Sequence, residues 1–200
     1  MNSALSNASS LIHSGHASRR GFMRTGGALS AVAVSLLAGN EAMAAGMKGD
    51  TSKDVSILNV ALALEHEAIN AYQLGAGSGL LQKPVLDIAV NFQSHHKAHR
   101  DALMATIKKM GGEPVAEQKI EVYAESLKAG TLKSQADVLS LAARLELGAT
   151  NAYLGVIPAF GDSELAKVAA RLAADETMHY TVLISALGRP LPAGALSFGG

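Results

Sequence analysis

A short segment that contains a glutamate occurs twice in this chain. Residues 64–72 read LEHEAINAY, and residues 145–153 read LELGATNAY, 81 positions later. A second repeat follows each segment at an offset of 80, where residues 96–99 read HKAH and residues 176–179 read ETMH. Each half of the chain therefore supplies a glutamate and then two metal-ligand residue types spaced i,i+3. This arrangement is typical of a two-metal site inside a four-helix bundle.

Four long helices are expected to position these repeats, because no alternating strand pattern competes with their helical periodicity. Their expected bounds are residues 52–74, 84–111, 135–157 and 164–188. Residues that start and stop helices support these bounds. Pro84 lies in the first turn of the second helix, the glycine-rich segment 75–79 follows the first helix, and Pro190 follows the fourth.

The lengths of the connections predict how the helices are arranged. Short links join the first helix to the second and the third to the fourth, so each pair is expected to form an antiparallel hairpin. Residues 113–134 separate the second helix from the third, with a short amphipathic helix expected within residues 117–127. The sequence therefore predicts an all-α four-helix bundle with one long crossover between helices two and three.

A carboxylate or an imidazole lies near the centre of the apolar stripe of each long helix. The first and third helices each place one glutamate there, and the second and fourth each place an i,i+3 pair. The six residues are Glu65, His96, His99, Glu146, Glu176 and His179. Such groups are costly to bury unless their charges are paired or bound to a cation. One of them alone could be an ordinary core residue, but six at one level in a duplicated pattern indicate metal ligands.

Other polar residues of the repeats are weaker candidates. Tyr72 and Tyr153 lie two turns along from the glutamates of their own segments, and their hydroxyls could either pack in the core or support a ligand from behind. Asn70 and its counterpart in the second repeat lie off the stripe and are expected to join helices. His66 and Glu67 point elsewhere and are expected at the surface.

The first 44 residues resemble a twin-arginine export signal. Arg19 and Arg20 lie within SRRGFMR, a weakly apolar run follows at residues 25–37, and Ala-Met-Ala at residues 42–44 has the form that signal peptidase accepts. An ordinary secretory signal or a membrane anchor is the alternative, but the run is too short for a stable transmembrane helix, which needs about 20 apolar residues. We therefore expect a signal peptide at residues 1–44 and a periplasmic or otherwise exported domain at residues 45–200.

Composition narrows the classes of function. The chain has 17 basic and 17 acidic residues. The expected signal contains three of the basic residues and one of the acidic ones, so the remaining domain has 14 basic and 16 acidic residues; the four that are removed are Arg19, Arg20, Arg24 and Glu41. The near balance and the lack of a basic patch argue against nucleic-acid binding. The chain has no cysteine, which excludes iron–sulfur and thiolate sites. Because the twin-arginine route exports folded proteins, often with a cofactor already inserted, it favours a bound metal.

Taken together, these features are similar to those of the exported ferritin-like domain proteins of bacteria. The similarity rests on the export signal, the two LExxAxNAY segments, the histidine-rich second helix and the DExxH helix, and it covers about residues 54–188. It implies a ferritin-like fold of the di-iron carboxylate superfamily, in which each half supplies Glu from one helix and Glu-x-x-His from the next. The residues at those positions are Glu65, Glu146, Glu176, His99 and His179.

His96 departs from the family pattern, because it stands where the family has a bridging glutamate. Four carboxylates balance two divalent cations, whereas three leave one charge uncompensated, and we expect that an imidazole cannot bridge two ions as a carboxylate does. An asymmetric pair and a site with one tightly and one weakly held ion both stay open. A rival assignment pairs Gln93 with His96, but His96 with His99 keeps the 80-residue offset and the inward stripe.

Imidazole and carboxylate ligands suit one or two ions of iron or manganese, with zinc as an adventitious occupant. By the resemblance, such ions would act on dioxygen or peroxide. No separate acid–base dyad or nucleophile motif is visible, so turnover and substrate stay open. The alternatives are a metal-sequestering protein and a stress-protective structural protein without metal. We expect the twin-arginine translocase as a partner during export, no nucleic acid and no membrane association after processing, and we leave a homodimer open.

Overall fold

The computed structural model describes residues 50–199. Within this part of the chain the structure is all-helical, so the predicted fold class is confirmed. The helices are α1 (Asp50–Gly77), α2 (Lys83–Lys109), α3 (Ile120–Ser126), α4 (Gln135–Val156) and α5 (Ser163–Ala186). The expected export signal lies outside the described residues. No helix in residues 50–199 combines the length and apolar character that crossing a membrane requires.

The four long helices form two hairpins, as the connection lengths predict. Helix α1 packs along α2, α4 packs along α5, and α1 also contacts α4. Phe92 of α2 stacks on His179 of α5 with ring centroids 4.1 Å apart. The crossover between α2 and α4 carries the short helix α3, which packs against α1. The predicted bundle with one long crossover is therefore confirmed.

The helix ends follow local sequence signals, with one difference. The side chains of Ser134 and Asp162 accept hydrogen bonds from backbone N–H groups in the first turns of α4 and α5. Helix α1 continues past its expected end at residue 74 because Gly75 packs against α4. A Cβ on Gly75 would lie only 2.9 Å from Cγ1 of Val138. The left-handed turn comes later, at Gly79, where φ is 72°.

The core consists of two apolar clusters with a polar layer between them. One cluster includes Leu62, Leu103 and Leu172, and the other includes Phe92 and Leu183. The six predicted ligands lie between these clusters along the helices. The apolar clusters on both sides exclude water from the polar layer, which strengthens the interactions between its charges.

The expectation that His66 and Glu67 lie at the surface is wrong. The two residues are only 4% and 3% exposed, because the crossover covers this side of α1. The ring Nε2 of His66 lies 3.2 Å from the carbonyl oxygen of Val115, and the amide of Asn70 donates to Glu117. Burial raises the pKa of Glu67 to about 7. The crossover thus gives α1 a second buried face that its periodicity does not reveal.

Candidate metal centre

The six predicted ligand side chains meet in the polar layer, and each residue is 8% exposed or less. They form two overlapping groups. Within each group every residue offers one ligand atom, and these atoms all lie within 4.8 Å of one another. The first group consists of Glu65, His96, His99 and Glu176, and the second consists of His96, Glu146, Glu176 and His179. The bundle therefore brings together residues that lie far apart in the chain. His96 and Glu176 belong to both groups.

Helix geometry explains why these residues converge. Residues spaced i,i+3 lie on one face of a helix, so each pair on α2 and α5 points into the bundle together. The other helix of each hairpin supplies one glutamate, Glu65 from α1 and Glu146 from α4, and these two complete the layer. Gln93 does not join either group, because its amide donates to the carbonyl oxygen of Ile69 and to Gln73. This placement supports pairing His96 with His99 rather than with Gln93.

In the first group, histidine nitrogens of α2 lie close to carboxylate oxygens of Glu65 and Glu176. His96 Nδ1 lies 2.8 Å from Glu65 Oε2. His99 Nδ1 lies 3.2 Å from Glu176 Oε1 and 3.6 Å from Glu65 Oε2. Nδ1 of both histidines of the α2 pair therefore faces the carboxylates of Glu65 and Glu176, which come from different helices.

The second group repeats this arrangement around His179. His179 Nδ1 lies 3.0 Å from Glu176 Oε2 and 3.4 Å from Glu146 Oε2. His96 Nε2 lies 3.2 Å from Glu146 Oε1. The two groups are thus related by the sequence repeat, with Nδ1 of the last histidine of each half facing inward.

The two tyrosines hold the single glutamates in a crossed pattern. The hydroxyl of Tyr72 donates to Glu146 Oε1, and the hydroxyl of Tyr153 donates to Glu65 Oε1. Each tyrosine therefore contacts the glutamate of the other repeat rather than that of its own segment. Oε2 of each glutamate is left to the histidine nitrogens, and Glu146 Oε1 contacts both the Tyr72 hydroxyl and His96 Nε2.

Two residues that the sequence analysis did not single out support the histidines from behind. Asp175 Oδ2 lies 3.2 Å from His99 Nε2, and His95 Nδ1 lies 2.9 Å from His179 Nε2. A partner on the outer nitrogen of a metal-binding histidine sets its tautomer and orientation. His95 and Asp175 occupy equivalent places, each directly before a ligand pair and 80 positions apart. The repeat contained this signal, although neither residue lies on the buried stripe.

Opposite charges offset the cost of burial in this layer. Burial alone would raise the pKa of Glu65, but the hydrogen bond from His96 and the nearby imidazole of His99 outweigh it and lower the pKa to about 2. Burial likewise opposes charge on His99, yet the nearby carboxylates of Glu176 and Glu65, 3.2 and 3.6 Å from its Nδ1, raise its pKa to about 10. Burial raises the pKa of Glu176. Three carboxylates and three imidazoles can therefore neutralise one another when the imidazoles carry protons.

Two orphaned atoms show that the residues fit a cation. Within the described part of the chain, His99 Nδ1 and Glu176 Oε1 are buried without a hydrogen-bond partner. They lie 3.2 Å apart in the first group, where a nitrogen and an oxygen converge without a hydrogen bond between them. Unsatisfied buried polar atoms are uncommon in folded proteins. Mixed imidazole and carboxylate donors suit iron, manganese and zinc.

An apolar cavity of about 50 Å³ lies beside the second group. Aliphatic side chains from all four long helices line it, and Tyr72, His96 and Glu146 form part of its wall. A space of this size holds a molecule of a few heavy atoms, and an apolar lining disfavours ordered water.

Comparisons with known proteins agree with this architecture. A sequence model of the family described as ferritin-like domain matches residues 53–189. The fold is similar to a crystal structure of a conserved hypothetical protein, rv2844, from Mycobacterium tuberculosis, with a TM-score of 0.58. The two chains share 24% sequence identity over 73% of this chain and 99% of that one, a likeness that concerns the fold alone. No curated protein matches the chain.

Proposed function

This chain belongs to the ferritin-like domain family, and we propose that it is an exported protein that binds iron or manganese and reacts with dioxygen or peroxide. The observation that carries the proposal is the pair of overlapping Glu and His groups between two apolar clusters. Clustered buried charges of this kind are costly unless a cation or protons balance them.

The six residues would hold two ions, one in each group. Glu65 and His99 serve the first group, and Glu146 and His179 serve the second, with His96 and Glu176 common to both. Each histidine must present an unprotonated nitrogen to an ion, so binding releases the protons that neutralise the empty layer. Hydrogen bonds from the tyrosines, and the hydrogen bonds of His99 and His179 with Asp175 and His95, keep the ligand atoms aimed at the centre.

Bound iron or manganese would supply the electron transfer that reduction of dioxygen or peroxide requires. The chain itself contributes orientation, exclusion of water and an apolar cavity for a small molecule. The apolar cavity beside Glu146 and His96 favours dioxygen over peroxide, because peroxide would have to leave its hydration shell to enter an apolar space.

Metal sequestration without turnover is the second candidate. His96 favours it, since this residue replaces a bridging carboxylate with an imidazole and so changes the site on which the family's redox chemistry depends. A stress-protective protein without metal is favoured by the ion pairs of the layer, which can neutralise it with protons alone.

Export is part of the proposal and rests on the sequence pattern of residues 1–44, above all Arg19 and Arg20. An exported destination also suits the chain's lack of cysteine, because no thiol is exposed to oxidation.

The test begins with protein purified from the periplasm and analysed for metals. The apo form is then loaded anaerobically with Fe²⁺ and mixed with dioxygen or with peroxide, and oxidation is followed by absorbance. Glu65→Gln should lose metal and oxidation together, whereas Glu125→Gln, which changes an exposed glutamate of α3, should change neither. Tight metal binding without oxidation would favour sequestration, and absence of metal binding would refute the proposal.

A further inference from the structure

His96 presents one ring nitrogen to each ligand group. Its Nδ1 lies 2.8 Å from Glu65 Oε2 and 3.7 Å from Glu176 Oε1, both in the first group. Its Nε2 lies 3.2 Å from Glu146 Oε1 in the second group. The residue is 1% exposed, so neither nitrogen can turn to solvent for a partner. The sequence alone led us to expect that this imidazole binds a single ion. That expectation assigns no partner to its second nitrogen, which faces the other ligand group.

Neighbouring rings fix the direction of both nitrogens. The ring of Tyr72 stacks on that of His96 with centroids 5.4 Å apart and planes inclined by 29°. The rings of His99 and His179 pack against His96 in edge-on contacts at 5.7 and 5.2 Å. A ring packed on three sides is held in one orientation, as a group that joins two ions must be.

Glu176 divides its atoms between the two groups in the same way. Its Oε1 lies 3.2 Å from His99 Nδ1, and its Oε2 lies 3.0 Å from His179 Nδ1. The two shared residues therefore each offer one ligand atom to the first group and a different one to the second. This division marks two neighbouring ion positions rather than one.

We propose that His96 bridges two metal ions as an imidazolate, with Nδ1 bound to the ion of the first group and Nε2 bound to the ion of the second. The proposal rests on the proposed metal-binding function. In the metal-free layer both nitrogens of His96 face carboxylate oxygens and carry protons. On binding, both N–H bonds break, a metal–nitrogen bond forms at each nitrogen, and both protons pass to solvent. No electron is transferred in this step.

Charge balance supports the bridge. The carboxylates of Glu65, Glu146 and Glu176 carry three negative charges, and an imidazolate carries a fourth. Two divalent cations carry four positive charges, so the layer becomes neutral. His96 thereby replaces the charge of the carboxylate that the family has at this position, and an ion bound at each nitrogen favours loss of the ring protons.

The bridge predicts an unusual spacing of the ions. A metal–imidazole bond is about 2.0–2.1 Å long, and the two ring nitrogens point apart, which places the ions about 6 Å from each other. Ions in ordinary two-metal sites lie about 3.5–4 Å apart, so the longer spacing requires Glu176 to reach the two ions with its two oxygens in an extended bridge. The distance between the ions therefore distinguishes an imidazolate bridge from the family arrangement.

The experiment loads the purified protein with two equivalents of Co²⁺ and locates the ions by anomalous diffraction, with X-ray absorption on the same sample in solution. We expect two ions about 6 Å apart with His96 between them. His96→Glu should shorten the distance to about 3.5–4 Å. His96→Gln removes a ligand from both groups and cannot become an anionic bridge, so this variant should retain one ion per chain instead of two. Circular dichroism checks that both variants fold.

Each other outcome is decisive. A close pair in the wild-type protein, a single ion, or two ions with His96 bound through one nitrogen would overturn the bridge and leave the proposed metal binding intact. Failure to bind any ion would overturn the proposed function along with it.

Discussion

Removing the hydroxyl of Tyr153 should destabilise the metal-free protein more than removing that of Tyr72. The Tyr153 hydroxyl is the hydrogen-bond partner of Glu65 Oε1, while the Tyr72 hydroxyl shares Glu146 Oε1 with His96 Nε2. Tyr153→Phe therefore leaves a buried carboxylate oxygen without a donor, whereas Tyr72→Phe leaves one still supported by His96.

A hydrogen bond to a charged group contributes about 1.5–3 kcal/mol. Both tyrosines are buried, so water cannot replace the lost donor. We expect Tyr153→Phe to lower the free energy of unfolding by about 3 kcal/mol and Tyr72→Phe by about 1.5 kcal/mol, the two ends of that range. Urea denaturation of the apo form at pH 7, with the slope held common to all variants, measures both values.

Tyr123→Phe is the matched control. This tyrosine is also buried, but its hydroxyl accepts a hydrogen bond from the neutral backbone N–H of Gln118, so its loss should cost about 1 kcal/mol. A cost for Tyr153→Phe no greater than that for Tyr123→Phe would refute the view that these hydroxyls hold charged ligands. A larger cost for Tyr72→Phe than for Tyr153→Phe would refute the assignment of their partners.

Three further predictions concern pH and export. Burial lowers the pKa of His99, but the nearby carboxylates of Glu176 and Glu65 outweigh this and hold the pKa at about 10. The contribution of His99 to apo stability should therefore be full below about pH 6.5 and fall as the pH rises towards 10; denaturation between these pH values should show a flatter slope for His99→Gln. Burial raises the pKa of Glu67 to about 7, so the folded protein loses stability between about pH 4.5 and 7. Glu67→Gln should unfold at a higher temperature than wild type at pH 8 but not at pH 4, and equal melting temperatures at pH 8 would contradict this. Replacing Arg19 and Arg20 by lysine should leave the precursor in the cytoplasm, whereas mature protein in the periplasm of a strain without the twin-arginine translocase would exclude that route.

Periodicity and duplication were enough to predict the bundle and the residues that meet at its centre. A buried i,i+3 pair such as His96 and His99 leaves a clear signal, because its apolar neighbours mark the inward face of the helix. The 80-residue offset then selected His99 rather than Gln93 as the partner of His96. The structure places Gln93 against the backbone of α1, in keeping with that choice.

The features that the sequence did not reveal depend on packing between elements. His66 and Glu67 are buried by a crossover whose path the helical period cannot predict. His95 and Asp175 lie partly in solvent, so a search for buried polar residues passes over them although they contact ligand histidines. The crossed tyrosine–glutamate bonds depend on how the two repeats face each other. The same is true of the two nitrogens of His96, whose directions are set by the surrounding rings.

The most direct test of the central claim combines metal analysis with thermal unfolding of the protein in both forms. The apo protein is loaded anaerobically with Fe²⁺ or Mn²⁺, its melting temperature is measured with the ion in excess, and a desalted portion is analysed for retained metal. Wild type should retain metal and melt higher than the apo form, since an ion present at 100 times its Kd stabilises the fold by about 2.7 kcal/mol. Glu65→Gln combined with Glu146→Gln should retain no metal and show no shift. An unchanged wild-type melting temperature, with no metal retained, would contradict the assignment of these six residues as a metal site.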